Sequence, residues 1–484
     1  MKQTIKCLFA ALAAMLMSVA AFAQVTTSAL GGRVVDANGE PVVGVAVIAT
    51  HTPSGTVYGV TTNEAGRYTI NGMRSGGPYS VEFTCLGYQT VTYTDLTLQL
   101  AETSSLNATL NEDSEMLSEA MVIGAAASKF SAEKTGAATN ISSAQITSLP
   151  TVNRSITDVT RLSPYGGNGM SFAGSDGRTA NFTVDGANFN NNFGLSENLP
   201  GGGNPISIDA IEELQVVISP YDVRQTNFIG GGVNAITKSG TNTFKGTAYV
   251  YHRNENMRGN QVAGTEISGA RDRDRNTTYG FTLGGPIIKN KLFFFVNAEY
   301  SQTPSVAVRW RASENGVGNA DKYLSYTTVA DMERVQKHVM DKYGYDTGSF
   351  TDFPADQNNL KLLARLDWNI NDNHRLALRY NYTNNTGWNA PNSSSMDGGT
   401  RSAYGRTSLY SMAFANAMYS MNNLVHTVSL DLNSRLGDNL SNQFLATFSK
   451  LDDVRGTNSS EFPFIDIQDG TNTNTQYMAL GYEL

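Results

Sequence analysis

Beyond Gly240 the chain alternates apolar and polar residues over stretches long enough to cross a lipid bilayer, and this pattern limits the fold more than any other feature. Leu360, Leu362, Ala364, Leu366, Trp368 and Ile370 share one face, opposite Lys361, Leu363, Arg365, Asp367 and Asn369. The next run repeats the arrangement, with Leu376, Leu378, Tyr380 and Tyr382 opposite Arg375, Ala377, Arg379, Asn381 and Thr383. Val428, Leu430, Leu432, Phe444, Ala446 and Phe448 form the apolar face of two more. A soluble sandwich also alternates, so the connections decide. Short links at 285–290, 371–373 and 436–439 alternate with long ones at 254–275, 304–357, 385–423 and 452–473. Tight turns at one end and long loops at the other are the layout of an outer-membrane β-barrel, and strands of about 10 to 12 residues suit a tilted crossing. The cluster Phe293-Phe294-Phe295, with Trp368, Tyr380 and Tyr382, suits lipid-facing and girdle positions.

The expected strands are eight, at 243–253, 276–285, 291–303, 358–370, 374–384, 424–435, 440–451 and from 475 onward. Eight strands enclose only their own side chains, whereas plugged barrels have about 22, so about 14 more are expected and the chain reads as truncated within its barrel.

The other end of the chain gives an address. Lys2 and Lys6 precede an apolar stretch from Cys7 to Ala20, and Ala21-Phe22-Ala23 follows, so residues 1–23 read as a cleaved secretory signal. Cys7 would leave with it, and Cys85 alone cannot form an internal disulfide. The formal charge of -8 over 484 residues, with scattered Lys and Arg, argues against a nucleic-acid partner, which needs a concentrated basic face. No second apolar run of about 18 residues follows the leader, which excludes a helical membrane protein but not a barrel.

Three units are expected between leader and barrel. Residues 24–112 hold short β-runs, with Asn38-Gly39, Asn63 to Gly66 and Asn71-Gly72 placed as turns, and read as a β-sandwich of about seven strands. Their G-x-V-x-D-x-x-G-E-P-V-x-G-V and later T-x-x-x-G-x-Y patterns resemble the carboxypeptidase regulatory-like domain, a transthyretin-like sandwich whose members are often carbohydrate-binding-like modules and elsewhere inert packing. Residues 113–124 form an acidic linker ending in Glu119, Ala120, Met121, Val122, Ile123 and Gly124. Such a short apolar run is either a peptide that adds to a sheet edge or the first strand of the next domain. Residues 125–240 are Gly- and Asn-rich, with little to build a large core of their own, and so are expected to pack inside something.

Taken in order, these pieces resemble the TonB-dependent receptors of Bacteroidetes-type bacteria, most closely the Oar-like group. The carrying segments are 162–194, 210–254 and LGGPIIKNKLFFFVNAEY at 283–300. The implied fold is mainly β: the sandwich, a mixed α+β plug at 125–240, and at 241–484 the first part of a large antiparallel transmembrane β-barrel. The resemblance places the TonB box at Glu119 to Gly124, makes TonB of the inner-membrane energising complex a partner together with outer-membrane lipids, and puts the sandwich in the periplasm. It implies active uptake of a large or scarce solute, with no cofactor and no catalytic residues. Asn188, Asn190, Asn191, Asn192 and Phe193 are candidate contacts for an extracellular glycan, peptide or chelate, since amides and aromatics suit such ligands; a purely structural apical loop is the alternative. A partner surface lipoprotein stays open.

Two competing functions are weighed. A surface adhesion protein would use the same β-modules without transport. An exported metallocarboxypeptidase would use His252 and Glu255, which have H-x-x-E spacing, but zinc catalysis needs a third protein ligand in a concave site, and His51, His338, His374 and His426 carry no companion motif. Gly230-Gly231-Gly232 lacks the Lys-Ser/Thr of a phosphate loop and reads as a turn.

Overall fold

The computed structural model describes residues 25–112, 121–124, 137–149, 151, 154–190, 199, 204–219, 225, 229–257, 259–266, 274–304, 307–392, 405–437, 440–471 and 475–482. The expected leader lies outside them, as do Glu119, Ala120, Asn191, Asn192 and Phe193.

The N-terminal alternation folds into two facing sheets. Strands β1 (Ser28–Asp36), β2 (Ala46–His51), β3 (Thr56–Thr61), β4 (Arg67–Met73), β5 (Gly76–Thr84), β6 (Val91–Leu98), β7 (Thr103–Ser105) and β8 (Ala108–Leu110) make the sandwich, and β9 (Met121–Gly124) joins it from the linker. One sheet runs β4-β1-β7 with β8 also on β1, and the other runs β3-β2-β5-β6-β9. Val34, Val47, Ala49, Val81, Phe83 and Leu110 fill the space between, and Phe83 meets the edges of Tyr68 and Tyr93 at 5.7 and 5.8 Å. Cys85 is a free thiol partly packed on this core. The turn expected at Asn63 to Gly66 forms, and there only glycine fits: φ is +68° and a Cβ would sit 2.4 Å from the Val34 carbonyl oxygen.

The middle block builds a five-stranded mixed sheet, ordered β10-β13-β14-β11-β12, from β10 (Ala137–Ser142), β11 (Asn181–Val184), β12 (Ala187–Asn188), β13 (Ile211–Ser219) and β14 (Gly232–Thr237). Two short helices, α1 (Ser143–Ser148) and α2 (Ile156–Thr160), start at capping boxes in which Ser142 pairs with Gln145 and Ser155 with Asp158. This block has a real apolar core, including Ile141, Phe172, Phe182, Leu214, Val216 and Val233, and Phe295, Leu363 and Val425 of the surrounding wall complete it. Its packing inside the wall is thus part of its own folding.

Among the described residues the wall is one antiparallel sheet of seven strands, β15-β18-β19-β22-β23-β25-β26. In chain order, β15 (Lys245–Arg253) leads through a small hairpin, β16 (Gln261–Val262) and β17 (Thr265–Glu266), to β18 (Asn276–Ile288) and β19 (Leu292–Gln302). A long excursion carries β20 (Arg311–Ser313), β21 (Leu324–Thr328) and helix α3 (Val329–Tyr343), after which β22 (Asn358–Asn369) and β23 (His374–Asn389) return to the wall. A second excursion holds β24 (Met412–Ala413), and β25 (Tyr419–Arg435) and β26 (Ser441–Gly456) finish the sheet. The exposure is inverted relative to a soluble protein. On β22 Lys361, Arg365 and Asp367 are at most 8% exposed, whereas Leu362, Leu366 and Trp368 are 39–42% exposed. Charge faces inward and apolar groups outward, as hydrocarbon surroundings require.

Two expectations need correction. The strand expected from 475 onward does not join the wall: β28 (Gln476–Leu480) pairs instead with β24 and with β27 (Ile465–Gln468) in a separate sheet at the long-loop end. Its Met478, Ala479 and Leu480 are all buried, so it lacks the one-sided alternation of a wall strand and packs on Met412 and Phe414 with α3 residues Met332 and Val339. Of the phenylalanine run only Phe294 turns outward, beside Phe244; Phe293 and Phe295 are buried on the inner side. A strand's period of two forbids three consecutive residues from sharing a face.

Candidate functional site

Beside that shared apolar core, the middle block meets the wall through charge. A two-residue turn joins β11 to β12, with φ of +50° at Asp185 and +80° at Gly186, the Asp-Gly geometry of a tight hairpin. The turn presents a fully buried carboxylate. Asp185 accepts from the Thr237 amide at 3.1 Å and its hydroxyl at 2.7 Å, and faces Arg379 at 3.4 Å and Arg365 at 4.0 Å. Arg365 grips Asp367 with two bonds of 2.9 Å and donates to the Thr237 carbonyl. Arg379 continues to Asp431 at 3.6 Å, and Asp431 accepts from the Thr26 hydroxyl at 2.6 Å. At the other end Arg74 of the sandwich lies 3.6 Å from Asp367 and 5.7 Å from the Phe293 ring centre. Three guanidinium groups therefore alternate with three carboxylates across sandwich, wall and middle block. Buried pairs of this kind add little net stability over apolar packing, yet losing one partner is expensive.

A cavity of about 450 Å³ lies beside this chain of charges, lined by Arg74, Lys238, Arg365, Asp367, Arg375 and Asp431. Nearer the long loops the seam stays polar. Glu299 accepts from Lys361, Ser207 and Tyr249, each at 2.8 Å. Arg154, in an ion pair with Asp209, lies 4.1 Å from the Tyr251 ring centre. A second cavity of about 360 Å³ opens here among Arg154, Asn204, Asn276, Lys361 and Asn385. The Asn204 side-chain oxygen is buried in the protein without a hydrogen-bond partner.

The sandwich closes the short-turn end. Thr56 accepts from Asn369 at 3.0 Å, the Pro53 carbonyl accepts from the Asn242 amide at 2.8 Å, and Arg375 and Arg435 donate to the Val57 and Gly59 carbonyls. Toward the middle block, Glu213 accepts from the Leu100 amide at 3.0 Å and from the Ser75 hydroxyl. Burial pushes the Glu213 carboxyl up to about 8, against the opposing effect of the Leu100 amide. In the sandwich core, burial and then the Arg74 charge hold His51 down at about 3.

The candidate residues are placed as follows. Met121 to Gly124 form β9, parallel to β6 in the register Val91↔Met121, Thr92↔Val122, Tyr93↔Ile123 and Thr94↔Gly124. Asn188 and Asn190 share one turn: the Asn188 side-chain oxygen accepts from the Asn190 amide at 2.7 Å. Asn190 in turn bonds the Phe182 amide and Asn181, each at 2.6 Å. His252 bonds Thr277 at 2.9 Å, and among the described residues no group of three or more His, Cys, Asp or Glu could hold a metal. Sequence reasoning placed Arg365, Asp367 and Arg379 on the polar face of the wall but did not reach Asp185, Asp431 or Glu213, whose partners lie far away in the chain.

Two family models agree with this architecture. Residues 29–111 match the carboxypeptidase regulatory-like domain, and residues 236–310 match an outer membrane beta barrel domain. The chain is an outer-membrane β-barrel protein with an N-terminal regulatory-like sandwich. Over 395 residues it is 27% identical to the TonB-dependent transporter Oar of Myxococcus xanthus, covering 77% of this chain and 34% of that protein. The domain content and this relative support a TonB-dependent receptor. The chain thus spans about a third of the length of the curated relative it matches. Among solved structures, the outer membrane transporter YddB of Escherichia coli aligns at 13% identity and a TM-score of 0.47, covering 71% of this chain and 43% of that one. The siderophore receptor PirA of Pseudomonas aeruginosa aligns at 13% identity and a TM-score of 0.41, covering 68% and 43%.

Proposed function

We propose that this chain carries the plug and part of the wall of an active transporter that takes up a scarce solute across the outer membrane. Inner-membrane TonB would pull on residues 119–124. The supporting observation is the seam around Asp185. A block that only had to seal the wall would be held best by apolar packing throughout, whereas here the contact around Asp185 is made of ion pairs and hydrogen bonds next to a 450 Å³ cavity. Water can replace such bonds one by one during a pull, which lowers the barrier to rearrangement. An outer membrane holds neither ATP nor an ion gradient, so the work must arrive mechanically.

On this reading the sandwich faces the periplasm and the long loops face outward. The solute enters near Asn188, Asn190 to Asn192, Phe193 and the 360 Å³ cavity, whose amides and cations suit an oxygen-rich ligand such as a glycan, a peptide or a chelate. Strand pairing with TonB works through backbone groups, so side-chain truncation at the box should matter less than loss of an N–H. Val122→Pro should abolish binding of the purified periplasmic domain of TonB to the receptor, and Val122→Ala should retain it. Equal binding by the two variants would refute the assignment.

A further inference from the structure

The sandwich sheet ends on β6, and that edge is occupied. Residues 121–124 lie on it in parallel register, making β9 the fifth strand of the β3-β2-β5-β6-β9 sheet. Three features fit the edge to a short occupant from this chain. First, its length is limited: the β5–β6 ladder is regular only through Tyr93 and shifts register after it, and Asp95 has φ of +60°, so the extended edge ends at Thr94 and offers Val91 to Thr94. Four receptive residues face four paired ones. Second, the chain leaves the sandwich beside the start of this edge, since the Gln89 amide donates to the Asn111 carbonyl at 2.9 Å and Tyr88 bridges Glu112. Eight residues, 113–120, connect that point to Met121, so the tether keeps the peptide at high effective concentration. Third, a four-residue parallel ladder at an edge is among the weaker strand pairings, so the occupant can leave.

We infer that the Val91–Thr94 edge is a strand-accepting seat whose resting occupant is Met121–Gly124, and that TonB gains the peptide only when the seat releases it. This rests on the reading of residues 119–124 as the TonB contact. The seat uses backbone groups of the peptide, as TonB pairing would, so the two occupants compete. The sandwich thereby acts as a holder that keeps the pulling point docked at the periplasmic mouth until a competitor takes it.

The experiment is a reversible lock. Cysteines replace Thr92 and Val122 in the full chain, with Cys85→Ala to remove the free thiol. In-register neighbours in a sheet are about 4.8 Å apart, within the Cα range of a disulfide. A control pair, Thr50→Cys with Ser80→Cys, bridges the in-register neighbours of β2 and β5. Disulfides are mapped by peptide mass, and binding is read with the purified periplasmic domain of TonB. The expected result is a 92–122 disulfide, at least tenfold weaker binding in the oxidised form, and full recovery on reduction. Absence of the 92–122 bridge where the control bridge forms would remove the seat. A bridge that forms without changing the binding would remove the competition. If the unlocked protein with its native residue at 122 does not bind the TonB domain, the proposed function itself fails, and the competition with it, while the disulfide map still reports separately on the seat.

Discussion

Asp185→Asn isolates the charge in the seam. The amide keeps the shape of the side chain, and its oxygen can still accept from the Thr237 amide, now 3.1 Å away. What is lost is one of three carboxylates, leaving Arg74, Arg365 and Arg379 against Asp367 and Asp431. Breaking a buried pair by removing one partner costs about 3–5 kcal/mol. The lower end applies, because Arg365 retains its two-bond grip on Asp367 and Arg379 retains Asp431 at 3.6 Å. About 3 kcal/mol corresponds to roughly a hundredfold in an equilibrium. Hydrogen exchange of the detergent-solubilised protein reads this directly: the β14 amides, buried beside Asp185, should exchange about a hundredfold faster, with wall strands β19 and β22 unchanged. Adding Arg379→Gln should recover part of the loss, since the uncompensated cation is then gone. If β14 exchange in Asp185→Asn stays within about threefold of the parent, the seam is not held by charge and the account of plug release fails.

Further outcomes follow from the titrating groups and the lipid face. His51 is held neutral in the sandwich, with its folded value near 3 below the unfolded 6.5, so sandwich stability should be complete above pH 6.5 and fall by roughly 1 kcal/mol per unit as pH drops toward 3; exchange protection of β2 and β5 measures this, and His51→Gln should flatten the profile. Glu213 has the opposite sign. Its folded value near 8 lies above the unfolded 4.5, so the sandwich–plug contact should be strongest below pH 4.5 and weaken as pH rises through 8. Glu213→Gln should make protection of β13 independent of pH in that window, and matching profiles for parent and variant would contradict the assigned burial effect. On the outer face, Leu362→Arg should cost about 2–4 kcal/mol of insertion free energy near mid-membrane, read as a lower inserted fraction in phospholipid vesicles; equal insertion would mean that this face does not meet hydrocarbon.

The wall was legible because its residues obey one short-range rule. Period-two alternation over β22 and β23 identifies both strands and both faces from neighbours alone, and the structure puts Lys361, Arg365 and Arg379 inside as that rule requires. The rule fails where alternation is missing. Phe293 to Phe295 shows aromatic content without a face, and β28 buries Met478, Ala479 and Leu480 in succession, so composition suggested a wall strand where local packing produced a loop sheet. The seam is illegible for a different reason. Asp185 and Arg379 are distant in sequence, and nothing nearby in the chain tells which inward charge will meet which. The amides at Asn188 and Asn190 show a third limit: sequence reveals their hydrogen-bonding capacity but not that the same turn uses part of it. The peptide at 121–124 was readable as either an edge-adding run or the first strand of the next domain, while its acceptor on β6 was not readable at all, since any open edge offers the same backbone groups.

The position of that acceptor bears on how a pull would act. The sandwich is bonded to the wall through Thr56, Val57 and Gly59 and to the plug through Glu213. The wall sheet is paired along long antiparallel ladders, up to sixteen residues between β25 and β26, against four between β6 and β9. A force applied to residues 121–124 while they sit on β6 therefore loads the sandwich, and through it the wall, before it reaches the plug. Once β9 leaves β6, the same force runs along residues 125–136 into β10, and β10 pairs with β13, the strand that carries Glu213. Release from the seat would then redirect the load from the wall to the sheet whose far side holds Asp185. On this reasoning the weak four-residue pairing is the first bond to fail under tension, and the polar seam is the second.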